Sequence, residues 1–81
     1  MQDGLFNEIV NIIKPHAKNL EGLKNVSLAT EIQRDLQVNS TRFVDIVLEF
    51  EDKFGLTISD QDADKIQTVG DAVELVQRLK H

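Results

Sequence analysis

The residues of this chain whose types and spacing could do chemistry centre on Asn39-Ser40-Thr41, immediately ahead of a long apolar-periodic run. Asn is a favoured helix N-cap. Ser40 is therefore predicted at the first helical position, its hydroxyl beside backbone N–H groups that have no intrahelical acceptor. Those donors and the positive end of the helix dipole favour an anion, so Ser40 is a physically sensible attachment point for a phosphate-linked group. The tripeptide by itself favours the plainer reading, a polar residue in an ordinary first turn, because cap-like Asn and Ser are common at helix starts.

Other candidate chemistry is weaker. Asp60-x-Asp62-x-Asp64, followed by Asp71, has the outline of a calcium-binding loop, but the sixth position needs Gly and holds Lys65, and the last lacks the reach of a bidentate Glu. No metal site is expected. His16 and His81 have no partner set at metal or triad spacing, and Ser40 has no evident base, so no catalytic residue is expected. With no cysteine, the chain has no thiolate metal site, no disulfide and no cysteine nucleophile.

Composition narrows the function classes. The 81 residues are expected to form one small domain spanning 1–81, near the lower limit for a single apolar core. A net charge of −5 argues against binding to a phosphate backbone, and four Phe with no Trp or Tyr give no stacking platform for single-stranded nucleic acid. Between residues 41 and 64 stand Asp45, Glu49, Glu51, Asp52, Asp60, Asp62 and Asp64 against only Arg42 and Lys53, so the acidic excess lies beside Ser40. A solvated acidic face is the commoner cause of such a run; a docking surface for basic enzymes requires the same arrangement. No apolar stretch is long enough to span a membrane and the N-terminus does not resemble a signal peptide, so a soluble, cytoplasmic protein is expected; a monomer is expected as well.

These residues need helices to position them. Leu5, Phe6, Ile9, Val10, Ile12 and Ile13 have helical spacing, with Asp3 available as cap and Pro15 ending the helix near Lys14. A long connection follows. In it Leu28, Ile32 and Leu36 predict a short helical turn capped by Ser27 and pinned to the core, and Leu20, Leu23 and Val26 are further anchors between the polar turn residues Asn19, Glu21, Gly22 and Asn25. The second main helix runs from Ser40 to Phe54, with Gly55 as its stop and Asp45, Glu49 and Asp52 sharing one exposed face. Ser59 caps a short helix through Ile66, and Thr68-Val69-Gly70-Asp71 is a capping box opening the last helix, whose C-terminal end carries Arg78, Lys80 and His81. The expected fold is all-α, a small four-helix bundle of three main helices and one short one, with a long loop between helices one and two.

From Asp35 to Val76, about half the chain, the sequence resembles the acyl carrier protein family. That family's signature is Asp-Ser-Leu at the start of helix two after a Leu-Gly pair, and the matching stretch here is Asp35-Leu36-Gln37-Val38-Asn39-Ser40-Thr41. Val44, Ile46 and Val47, the Glu51 to Phe54 helix end, Ile58 and the Asp64-Lys65-Ile66-Gln67-Thr68-Val69 approach follow in register without a gap. The resemblance implies that Ser40 carries 4′-phosphopantetheine, supplied from coenzyme A by a phosphopantetheinyl transferase. The thiol of that arm holds acyl cargo as a thioester for acyl-handling enzymes in fatty-acid, polyketide or related lipid biosynthesis, and the chain itself is not an enzyme.

By the same resemblance, the acyl chain is stored among Ile32, Phe43, Val47, Phe50, Ile58, Ala63, Ile66, Ala72 and Leu75, which are equally core positions. Asn39, Thr41, Asp45, Glu49, Glu51 and Asp52 dock basic patches of partner enzymes. Phe43 and Phe50 are large for their positions and are expected to shorten or redirect the cavity. Asn39 in place of Asp, Thr41 in place of Leu, Gln37 in place of Gly and Arg42 where an acid is common imply a specialised member with its own enzymes. The altered motif also keeps open a different class, an unmodified carrier-like module acting as a structural or regulatory adaptor.

Overall fold

The second main helix, α4 (Ser40–Phe54), is bracketed by its own end residues. Asn39 Oδ1 accepts a 2.9 Å hydrogen bond from the backbone N–H of Arg42, and Gly55 stops the helix in the left-handed conformation at φ 63°. A side chain at Gly55 would be strained there. Between these stops Ile46, Val47 and Phe50 are buried, while Val44 and Leu48 stay 55% and 56% exposed.

The computed structural model describes residues 2–80. The other helices are α1 (Gln2–Ile13), α2 (Leu20–Lys24), α3 (Ile32–Asp35), α5 (Asp60–Asp64) and α6 (Val69–Leu79). The expected all-α architecture holds: among the described residues there is no strand, only an isolated bridge between Glu31 and Thr68. α1 packs against α6 and α4, with Ile9 and Ile13 fully buried. It begins at Gln2, so Asp3 lies within its first turn and does not precede it as a cap. A 3-10 turn, Lys14–His16, carries Pro15 and packs on α1 and α4, and the chain becomes extended at Ala17. His81 lies outside the described residues.

The long connection is more helical than expected, and its anchors differ. Residues 20 to 24 form α2, capped by Asn19, whose side chain accepts from the Gly22 N–H at 3.2 Å. Leu23 and Val26 pack against the core; Leu20 is 66% exposed. Ile32 and Leu36 are fully buried as expected, but Leu28 is 49% exposed and Ser27 is not the cap, since α3 starts after Glu31.

Leu28 serves through its backbone: its carbonyl accepts from Gly70 N at 2.8 Å, alongside Val69 N to Thr30 O at 2.9 Å and Ile32 N to Gln67 O at 3.0 Å. These bonds lash the loop to the start of α6. A Cβ at Gly70 would lie 2.8 Å from the Leu28 carbonyl oxygen, so glycine is needed for the approach. At the other end of the loop, Lys18 N and Asn19 N both donate to Leu36 O, at 3.1 and 3.2 Å. The Thr68-Asp71 capping box is present in both directions, and Ser59 caps α5 by accepting from Asp62 N at 3.1 Å. That helix ends at Asp64, short of the predicted Ile66, because Lys65 N turns back to Asp62 O.

Candidate functional site

Ser40 is the first residue of α4 and is exposed. Asn39 takes up the N–H groups of Arg42, through its side chain, and Phe43, through its carbonyl at 2.9 Å. The N–H groups of Ser40 and Thr41 have no acceptor among the described residues. An exposed hydroxyl thus sits beside free backbone donors at the positive end of a fifteen-residue helix.

The chain reaching Ser40 carries strain. Gln37 adopts φ 54°, the left-handed region that a side chain disfavours, and it is the sole non-glycine residue to do so among the described residues. The turn allows Val38 to be buried and Asn39 to cap, with the Leu36 carbonyl directed back to Lys18 and Asn19.

From Ser40 one stripe of α4 runs through Phe43, Val44, Val47, Leu48 and Glu51, spacings that keep them on the same side of the helix. Across from it lie Ile58, Asp60, Ala63 and Asp64, and between the two sides is an open groove of about 260 Å³. Its floor is apolar, and Glu51, Asp60 and Asp64 supply acid.

Of the nine residues expected to hold a cargo, the groove gathers Phe43, Val47, Ile58 and Ala63. Ile66 and Leu75 line a separate, smaller depression against α6, and Ile32, Phe50 and Ala72 are sealed in the core. The two large aromatics therefore differ in place: Phe43 borders the groove, while Phe50 is fully buried with its ring 6.3 Å from that of Phe54. Val44 and Leu48 were missed as groove residues. Their four-residue steps from Ser40 were the available signal, obscured because both count equally well as core in an apolar-periodic run.

The acids of α4 fall into two sets. Asp45, Glu49 and Asp52 do share a stripe, but it borders the 3-10 turn and two of the three already have partners. Glu49 is hydrogen-bonded to His16 Nε2, and Asp45 lies 3.9 Å from Arg42. Glu51, on the groove side, accepts a 2.7 Å hydrogen bond from the backbone N–H of Ile58. Sequence spacing cannot report such bonds, because His16 and Ile58 reach α4 only through the fold. His16 has a buried Nδ1 without a partner, and no group of acids or histidines among the described residues is placed to hold a metal ion.

The model of the family described as "Phosphopantetheine attachment site" matches residues 13–76. The chain is 37% identical over 76 residues to the acyl carrier protein of Lactobacillus johnsonii and 38% identical over 77 residues to that of Lactobacillus acidophilus. Each match covers 94% of this chain and 92% of the relative. The chain belongs to the acyl carrier protein family. In three dimensions it is similar to the acyl carrier protein of Enterococcus faecalis, with a TM-score of 0.79, 34% identity and 98% of each chain covered.

As an acyl carrier protein it is a carrier and not an enzyme, and its prosthetic group is 4′-phosphopantetheine. Its partners are a phosphopantetheinyl transferase and acyl-handling enzymes. The local donor set suits that group, since a phosphodiester needs an accessible hydroxyl and N–H groups with no other acceptor, and both occur at Ser40. No described helix is long and apolar enough to cross a membrane.

Proposed function

We propose that Ser40 bears the 4′-phosphopantetheine and that the chain presents acyl thioesters to partner enzymes of fatty-acid or related lipid biosynthesis. The observation that carries this reading is the continuity of Ser40 with the groove: the exposed hydroxyl heads the same stripe of α4 whose later turns form the apolar floor. An arm rooted at Ser40 starts at the groove's end. The bound group supplies the thiol that the chain, lacking cysteine, does not.

The chain's own residues root the arm and offer the groove to its cargo. Phe43, Val47, Ile58 and Ala63 shield the methylenes nearest the arm, and Phe43 limits how far they enter. Val44 and Leu48 offer exposed apolar contact to partners, while Asp45, Glu49, Glu51 and Asp52, with Asn39 and Thr41 beside the serine, meet their basic patches. Charges of this kind act mainly on encounter rate and weaken with salt. The protein works as a cytoplasmic monomer and 1–81 acts as one carrier domain.

Intact-mass measurement after incubation with coenzyme A and a phosphopantetheinyl transferase tests the attachment. The expected result is addition of one phosphopantetheine to the wild type and none to Ser40→Ala. A mass that never moves with several transferases would favour an unmodified adaptor, and a shift that persists in Ser40→Ala would place the group elsewhere. Reversing Asp45 and Asp52 to Lys is expected to slow acyl transfer at low salt; unchanged transfer rates would remove them from the docking surface.

A further inference from the structure

The charges at the head of α4 run opposite to what an unmodified helix favours. Its first turn holds no acidic side chain, its cap is the neutral Asn39, and its third residue is Arg42. A cation there faces the positive end of the dipole. The ion pair that Arg42 makes is with Asp45, Nη1 to Oδ2 at 3.9 Å, with the two side chains 58% and 48% exposed, so it is long and well screened. With the N–H groups of Ser40 and Thr41 unaccepted among the described residues, this turn presents backbone donors and a cation with no acid of its own.

We infer that Arg42 is a positioning residue for the prosthetic group: its guanidinium turns from Asp45 to the phosphodiester on Ser40, so that modification stabilises the helix on which it is made. This rests on Ser40 being the attachment point. A phosphodiester offers one negative charge over two non-bridging oxygens, which the planar fork of Arg can meet with paired N–H donors. Residues two apart do not face each other around a helix, so a short cation could not reach. Arg can, because helical side chains lean toward the N-terminus and its charge lies at the end of a long stem. Holding the phosphate fixes the root of the arm at the mouth of the groove.

The test compares unmodified and modified full-length chain, each verified by intact mass with Ser40→Ala as control, in thermal melts at low and high salt. In low salt the modified wild type is expected to melt about 2–6 °C above the unmodified form. The increment shrinks in high salt and in Arg42→Gln, and it persists or grows in Asp45→Asn, where the competing carboxylate is gone. Arg42 is exposed, so the variants keep their fold. The 31P resonance of the phosphodiester is expected to differ between wild type and Arg42→Gln, a change that a purely structural role for Arg42 does not produce. An equal increment with an unmoved resonance in Arg42→Gln overturns the inference and leaves the Ser40 assignment standing. Failure to gain mass overturns both.

Discussion

The carboxylate of Glu51 on α4 accepts a 2.7 Å hydrogen bond from the backbone N–H of Ile58, tying the loop before α5 to the helix across the groove. Ile58 is buried and forms part of the groove wall, so one acid both shapes the groove and contributes to its charge. Glu51→Ala is expected to destabilise the fold by about 1–3 kcal/mol, the range for a charge-assisted bond left unmade, while Glu51→Gln keeps an acceptor and loses less. Chemical denaturation of the two variants checks this. Equal losses would mean that the charge of Glu51 matters and its bond to Ile58 does not.

His16 and Glu49 form the matching tie on the other flank of α4. The His16 side chain is 11% exposed, so removing the carboxylate leaves its Nε2–H with little water to turn to. Glu49→Ala is expected to cost about 1 kcal/mol, whereas the double change His16→Phe with Glu49→Ala costs less than the sum of the single changes. A double-mutant cycle on thermal unfolding measures the coupling, and additive losses would show that the contact contributes nothing.

Gln37 is held at φ 54° without glycine's freedom. Gln37→Gly relieves a left-handed cost of about 1–2 kcal/mol while adding about 0.4–1 kcal/mol of unfolded-state entropy, so a net gain of about 0.5–1 kcal/mol is expected. Gly55→Ala, at φ 63°, is expected to move stability the other way. Urea midpoints of both variants test the pair of signs.

The Asp71 carboxyl is held below its ordinary value of 3.8, chiefly by the Thr68 backbone N–H; burial opposes this as the next largest effect, and the Gln67 backbone N–H and the Thr68 side chain lower it further. A depressed folded value means that the stabilisation is complete above the unfolded value and is lost as pH falls through the folded one. Asp71→Asn is therefore expected to be less stable than wild type at pH 7, with the gap closing below about pH 4. Melting temperatures from pH 7 to pH 2 follow it, and a gap independent of pH would show that the carboxylate's charge has no part in the cap.

Much of the frame was legible in one dimension because it depends on neighbours in sequence. Asn39 and Gly55 bound α4, Pro15 limits α1, and Ser59 and Thr68 open α5 and α6 through bonds from residues three places on. The position of the serine at the head of α4 follows from the same local rules, and the in-register residues from Asp35 to Val76 are enough to show the resemblance to acyl carriers.

Tertiary structure decided the rest. Whether Leu28 points inward was settled by its carbonyl, drawn to Gly70 more than forty residues away, and that demand outweighs a helical periodicity carried by only three residues. Val44 and Leu48 share the apolar period of the buried Ile46 and Phe50, and only the position of α5 leaves them open beside a groove. Likewise Asp45, Glu49 and Glu51 are the same kind of residue on the page, yet Arg42, His16 and Ile58 give each a different tie. The sequence by itself determined where α4 starts and stops, where α6 opens and where a phosphate would be welcome, because capping acts within a turn. Which side of α4 lies open, and which of its acids are already held, depended on contacts between residues far apart in the chain.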